Sequence, residues 1–127
     1  KSITGTAQYE VNKLSAELGN ADAELVRKEL GTEFDMIVHE PDGILEIGQA
    51  GHSKASGIER LCTALGIAKE DTYAFGDSAN DVEMLAFVAH GIAMGNGTDV
   101  AKNAAEFVTT DIHADGIWNG LKHYGLI

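Results

Sequence analysis

Two carboxylates four residues apart, Asp77 and Asp81, follow the short apolar run Tyr73-Ala74-Phe75 and the turn residue Gly76. Between them lies a small polar stretch ending in Asn80. Behind them Val82, Leu85, Ala86 and Ala89 recur at helical spacing, widened by Met84, Phe87 and Val88. The stretch Asp71–Leu85 thus predicts a strand, a turn and a helix start, with both acids at the strand's carboxyl end. Open α/β sheets bind ligands there. Carboxylate oxygens in that place suit a hard cation such as Mg2+, which keeps several waters and takes few protein ligands. Taken singly, each residue has a plainer role. Asp81 in a first helical turn complements the macrodipole, Ser78 or Asn80 caps the helix, and Asp77 after Gly76 is ordinary turn chemistry. Gly76, Asp77, Asn80 and Asp81 together, directly behind a buried strand, favour the cation site.

Lys54 is the second informative residue. In the first turn of a helix its charge sits against the positive end of the dipole. Either it is solvated there, or a nearby anion wants it.

The elements that position these groups change character along the chain. Ala21–Leu30 carries Ala21, Leu25, Val26 and Leu30 among charged residues, which predicts a short amphipathic helix ended by Gly31. Phe34–His39 reads as a strand, Pro41-Asp42-Gly43 as a turn, and Ile44, Leu45 and Ile47 as a second strand. A helix and a hairpin make a small α+β unit, placed at residues 1–48, with a linker over 49–52. From 53 to 127 the pattern alternates. Ser53 caps a helix whose core face is Ile58, Leu61, Cys62 and Leu65, stopped by Gly66. Then come a strand at Thr72–Phe75, a helix from about Asn80 to Ala89, and a buried strand at His90–Met94. The loop Gly95-Asn96-Gly97, a helix over Asp99–Ala105, a short strand at Glu106–Val108 and a closing helix over Gly116–Tyr124 complete the order. Trp118 is expected in the core. Strands separated by helices imply an α/β fold with a parallel sheet and helices on both faces.

Composition narrows the function. The chain has 127 residues, 44% hydrophobic, and one cysteine, Cys62, which excludes an intrachain disulfide. No apolar run approaches the roughly 18 residues of a membrane span, and the first ten residues do not resemble a signal peptide. A cytoplasmic setting is expected. The net charge of −11 argues against nucleic acid and anionic membrane as partners. It also opposes a phosphate pocket unless a few cations and a metal neutralise the site locally.

Gly51-His52-Ser53-Lys54, then Gly76-Asp77-Ser78-Ala79-Asn80-Asp81, then Gly91-Ile92-Ala93-Met94-Gly95-Asn96 resemble in kind and order the carboxyl-terminal half of a haloacid dehalogenase superfamily phosphatase, most similar to the Cof-type group. Val108-Thr109-Thr110 and Ala114-Asp115-Gly116-Ile117 fit too, so the resemblance covers about Phe34 to Ile127. It implies a Rossmann-like parallel core preceded by part of an α+β cap. It further implies that Asp77 ligates Mg2+ directly and that Asp81 holds metal-bound water or completes the metal shell. Lys54 would pair with the phosphoryl group and the nucleophile, and Asn80 would donate to a phosphate oxygen. These are the positioning and electrostatic tasks of phosphoryl transfer, run through an aspartyl-phosphate. The substrate would be a small phosphorylated metabolite such as a sugar phosphate.

One departure matters. The family's nucleophile lies in an Asp-x-Asp motif after an apolar strand, and this sequence contains no Asp-x-Asp. The expectation is a fragment, inactive alone, that leaves the strand at Thr72–Phe75 with an unpaired edge for a complementing chain or self-association. Three alternatives are weaker. A cation-pumping ATPase domain carries a similar Gly-Asp-x-x-Asn-Asp but should accompany membrane spans. A receiver domain should carry its acids on the first strand. A noncatalytic binding module on the same scaffold would lack the nucleophile throughout the complete gene.

Overall fold

The computed structural model describes residues 13–19, 22–39 and 43–127. Packing divides the chain into two units, Lys1–Gly51 and His52–Ile127.

In the first unit, strands β1 (Lys13–Glu17) and β2 (Phe34–His39) flank β3 (Ile44–Gln49), antiparallel on both sides. Helix α1 (Ala23–Leu30) precedes β2. The Asp22 carboxylate caps this helix by accepting the N–H of Glu24 at 2.9 Å. It ends at Gly31 with φ 67°, a left-handed conformation that glycine adopts without a Cβ clash. Pairing sets Val38 opposite Leu45 and Met36 opposite Ile47, so alternation gathers these side chains on one face. Met36 and Leu45 are buried there. The other face carries charge: Lys13 Nζ lies 2.6 Å from Glu46 Oε2. His39 Nε2 lies 3.3 Å from the same oxygen, off the line of a hydrogen bond.

The hairpin of β2 and β3 is as expected, while Pro41 and Asp42 of its tip, and Ala21 of the expected helix, lie outside the described residues. Strand β1 was not expected. Lys13-Leu14-Ser15-Ala16-Glu17 alternates, but Lys, Ala and Glu are poor strand formers, and all five residues are exposed. It is held as a strand by the ladder that the edge of β3 offers.

The second unit runs α2 (Lys54–Leu65), β4 (Tyr73–Gly76), α3 (Val82–Phe87), β5 (His90–Ala93), α4 (Asp99–Ala104), β6 (Phe107–Val108) and α5 (Gly116–His123). The three strands are parallel in the order β4-β5-β6. Ala74, Gly76, Gly91 and Ala93 share one face, and their small size lets α3 lie close. A Cβ at Gly91 would fall 2.2 Å from the Leu85 carbonyl oxygen. Phe75, Ile92 and Phe107 form the opposite face, against which Gly120 of α5 packs; a Cβ there would meet the Phe75 ring at 2.5 Å. Helices therefore cover both faces, as the alternating pattern implies.

Three expectations need correction. The helix foreseen from Asn80 divides into a 3₁₀ turn, Ala79–Asp81, and α3 proper, which stops at Phe87. The apolar stripe of α2 is not a buried face: Ile58 and Cys62 are half-buried, while Leu61 and Leu65 are 56% and 63% exposed. Trp118 is 52% exposed, with the Lys122 ammonium 4.7 Å above its ring. The cause is width. Three strands span about 10 Å between outer members, roughly one helix diameter. On the small-residue face α3 occupies the sheet, and α2 packs against α3 instead. Among the described residues β4 pairs only with β5, so it is an edge strand. Periodicity identifies an apolar stripe without supplying what covers it.

Candidate active site

The loops that follow β4, β5 and β6 all leave the carboxyl ends of their strands. After Gly76 the chain turns at once, and the N–H of Asp81 closes a 3₁₀ turn on the Ser78 carbonyl at 3.0 Å. This turn swings the Asp81 side chain back over the strand end. Its Oδ2 accepts the backbone N–H groups of Asp77 at 2.9 Å and Ser78 at 3.2 Å. Gly76 makes room for it, because a Cβ there would lie 2.6 Å from Asp81 Cβ.

The other oxygen of Asp81 meets Lys54. At the start of α2 the Ser53 hydroxyl accepts the Ser56 N–H at 3.2 Å, and the Ser56 hydroxyl accepts the Ser53 N–H at 3.0 Å. This reciprocal cap fixes the helix start. Lys54 is the first helical residue, and its Nζ donates to Asp81 Oδ1 at 2.5 Å. Its side chain is 48% exposed, against 7% for Asp81. Burial pushes the Asp81 carboxyl up, but Lys54 and the amides of Asp77 and Ser78 outweigh it, and the group stays below its usual value.

Asp77 is the contrasting acid. It is exposed, and among the described residues its carboxylate makes no hydrogen bond or ion pair. Its carbonyl accepts the N–H of Thr98 at 2.8 Å and the Thr98 hydroxyl at 3.3 Å. Asn80 is half-buried, and its Oδ1 accepts the Ser78 hydroxyl at 2.6 Å, which turns the amide NH2 away from Ser78. Asn96 Oδ1 accepts the Ile112 N–H at 2.9 Å, a loop brace.

Of the residues singled out in the sequence, Lys54 and Asp81 are brought into contact, and Asp77 joins them through its backbone N–H. Asn80 stands beside them, tied to Ser78. Ser78 and Thr98 escaped sequence reasoning. Ser78 lies inside the motif, where its type signals only a helix cap, and Thr98 carries no signal beyond its place after Gly-Asn-Gly. Among the described residues no three His, Cys, Asp or Glu side chains cluster to hold a metal. The donor set that does exist is two carboxylates, one of them open to solvent. Hard oxygens in that small number fit Mg2+, which completes its octahedron with water and substrate oxygens.

The haloacid dehalogenase-like hydrolase family matches residues 3–121. The chain belongs to that family. A 5-amino-6-(5-phospho-D-ribitylamino)uracil phosphatase of Bacillus subtilis, YitU, is 40% identical over 84 residues, covering 66% of this chain and 31% of its own. Among solved structures, the haloalkanoate superfamily phosphatase BT1666 of Bacteroides thetaiotaomicron superposes with a TM-score of 0.82 at 28% identity. The match covers 94% of this chain and 44% of that one. The sugar phosphatase BT4131 superposes with a TM-score of 0.69 at 35% identity, over 75% of this chain and 36% of the other. The chain thus spans less than half the length of each of these relatives. No helix among the described residues is long and apolar enough to cross a membrane.

Proposed function

We propose that this chain contributes the electrostatic half of a Mg2+-dependent phosphatase for small phosphorylated metabolites, sugar phosphates foremost. The observation that carries the reading is the Lys54–Asp81 pair at 2.5 Å beside the open carboxylate of Asp77. A cation, with a free acid able to hold Mg2+, at a sheet's carboxyl edge can neutralise and hold a phosphoryl group. Relatives bearing phosphatase names support the same reading.

In this proposal Asp77 is the direct metal ligand, and Asp81 keeps Lys54 placed while its remaining lone pairs hold metal-bound water. When bound, Mg2+ supplies charge neutralisation at the phosphoryl oxygens. Lys54 presents its solvent-facing side to the phosphoryl group and to the attacking carboxylate. Asn80 offers its amide NH2 to a phosphate oxygen, since its Oδ1 is already occupied by Ser78.

The attacking carboxylate that forms the aspartyl-phosphate is not among these 127 residues, which contain no Asp-x-Asp. We place it on a strand of a complementing chain that pairs with the open edge of β4; self-association would cover that edge without supplying the nucleophile. Residues 1–48 act as part of a cap, and the setting is cytoplasmic. On its own the chain is expected to release no phosphate.

The test is a phosphate-release screen of the product of its complete gene on phosphorylated sugars, with and without Mg2+. Expected is Mg2+-dependent turnover that falls by about a hundredfold or more in Asp77→Ala. No turnover on any ester, or turnover indifferent to Asp77, overturns the proposal.

A further inference from the structure

We propose that Thr98 is a positioning residue for Asp77: with Gly97 it clamps the main chain of that acid and fixes where the free carboxylate stands. The inference rests on the reading of Asp77 as a Mg2+ ligand.

The Asp77 side chain has no partner among the described residues to orient it, so its placement depends on its backbone. Both polar groups of that backbone are held. The N–H of Asp77 goes to Asp81 Oδ2 at 2.9 Å. Its carbonyl accepts two donors from Thr98, the N–H at 2.8 Å and the hydroxyl at 3.3 Å. One residue before, the Gly76 carbonyl accepts the Met94 N–H at 2.9 Å, which carries the β4–β5 ladder up to the loop.

Gly97 brings the clamp close. A Cβ there would lie 2.9 Å from the Met94 carbonyl oxygen, 3.0 Å from the Asp77 carbonyl oxygen and 3.1 Å from Asp77 Cα. All three are main-chain atoms, which cannot rotate aside. Thr98 is itself anchored, since the Lys102 N–H donates to its carbonyl at 3.0 Å and the Ala101 N–H to its hydroxyl at 3.4 Å. The loop after β5 and the start of α4 therefore set the position of an acid on the loop after β4. The partners that orient a metal ligand commonly govern affinity as strongly as tenfold or more when removed.

Mn2+, counted free and bound by electron paramagnetic resonance, is the probe for this chain, alongside urea unfolding of each variant. Thr98→Val keeps the N–H and the shape but loses the hydroxyl, Thr98→Ser restores it, and Gly97→Ala pushes the clamp away. Expected is Mn2+ binding weakened about tenfold in Gly97→Ala and about threefold in Thr98→Val. Thr98→Ser should stay within about twofold of the wild type, while Thr98→Val, which also loses the hydroxyl that caps α4, should lower the unfolding midpoint modestly and leave the chain folded under the binding conditions. Wild-type affinity in both Thr98→Val and Gly97→Ala, or weakening that merely follows lost stability, overturns the clamp. Asp77→Asn separates the two ideas. If it binds Mn2+ as the wild type does, or if the wild type binds none, the metal reading fails and takes the clamp with it. If Asp77→Asn loses binding while the Gly97 and Thr98 variants keep it, only the clamp is lost.

Discussion

Each end of the parallel sheet carries a basic side chain paired with a carboxylate, and the two pairs are built differently. At the carboxyl end, Asp81 is buried, takes two main-chain amides on one oxygen and Lys54 on the other. At the amino end, His90 Nδ1 lies 2.9 Å from Glu106 Oε2, and the Tyr124 hydroxyl donates to the same oxygen at 3.1 Å. Tyr73 stacks on the His90 ring with centroids 4.6 Å apart. The Glu106 side chain is 53% exposed. One carboxylate is thus a structural part of its turn, and the other is a surface contact on an aromatic cluster. Each carboxylate has a basic partner, but the surroundings decide the weight: low dielectric and amide donors strengthen the first, while water and salt screen the second.

The contrast is most severely tested by Asp81→Ala. It leaves the Lys54 ammonium without its partner and two amide N–H groups without an acceptor. The expected loss is about 2–4 kcal/mol by urea unfolding, below the full cost of breaking a buried pair because half of the Lys54 side chain meets solvent. A loss under about 1 kcal/mol would show that the two ends are equivalent after all. Next in size, Gly76→Ala forces a methyl group into Asp81 and should cost about 1–3 kcal/mol; an unchanged unfolding midpoint would mean that Asp81 has room to retreat. The smallest effect belongs to Glu106→Gln. His90 first, and then Tyr124, hold the Glu106 carboxyl below its ordinary value of 4.5. Whatever the folded state gains from it is therefore present above that pH and disappears as acid titrates the group through its lowered value. Stability measured from pH 7 down to about 3 should lose that slight acid-dependent slope in Glu106→Gln, and in the wild type in 1 M salt. A slope that survives salt would make the amino-end pair a sheltered one.

How much of this was legible differs from residue to residue. Gly76, Asp77 and Asp81 announced themselves because strand, turn and helix start follow one another within a single local stretch. Ser53 and Gly66 marked the ends of α2, with Gly66 at φ 65°. Lys54 was legible through the family resemblance added to its unfavourable place at a helix start, which the contact with Asp81 accounts for. What escaped was tertiary. The clamp from Thr98 joins groups 21 residues apart and depends on two loops meeting. The exposure of Leu61, Leu65 and Trp118 could not be read from periodicity, because the same pattern suits a stripe that is covered and one that is not. Strand β1 needed a neighbouring edge more than it needed propensity. The small-residue face of Ala74, Gly76, Gly91 and Ala93 was read as a plain buried strand, though its lack of bulk sets how near α3 lies.

Helix α2 has no buried residue along its twelve positions, and Lys54 stands at its very first turn. The ammonium to which we assign the phosphoryl contact is therefore also a mooring point for the helix. Beyond the packing of α2 on α3, any event that draws Lys54 toward an incoming anion slackens one tie on twelve residues of chain, so anion binding there would couple to the freedom of that helix.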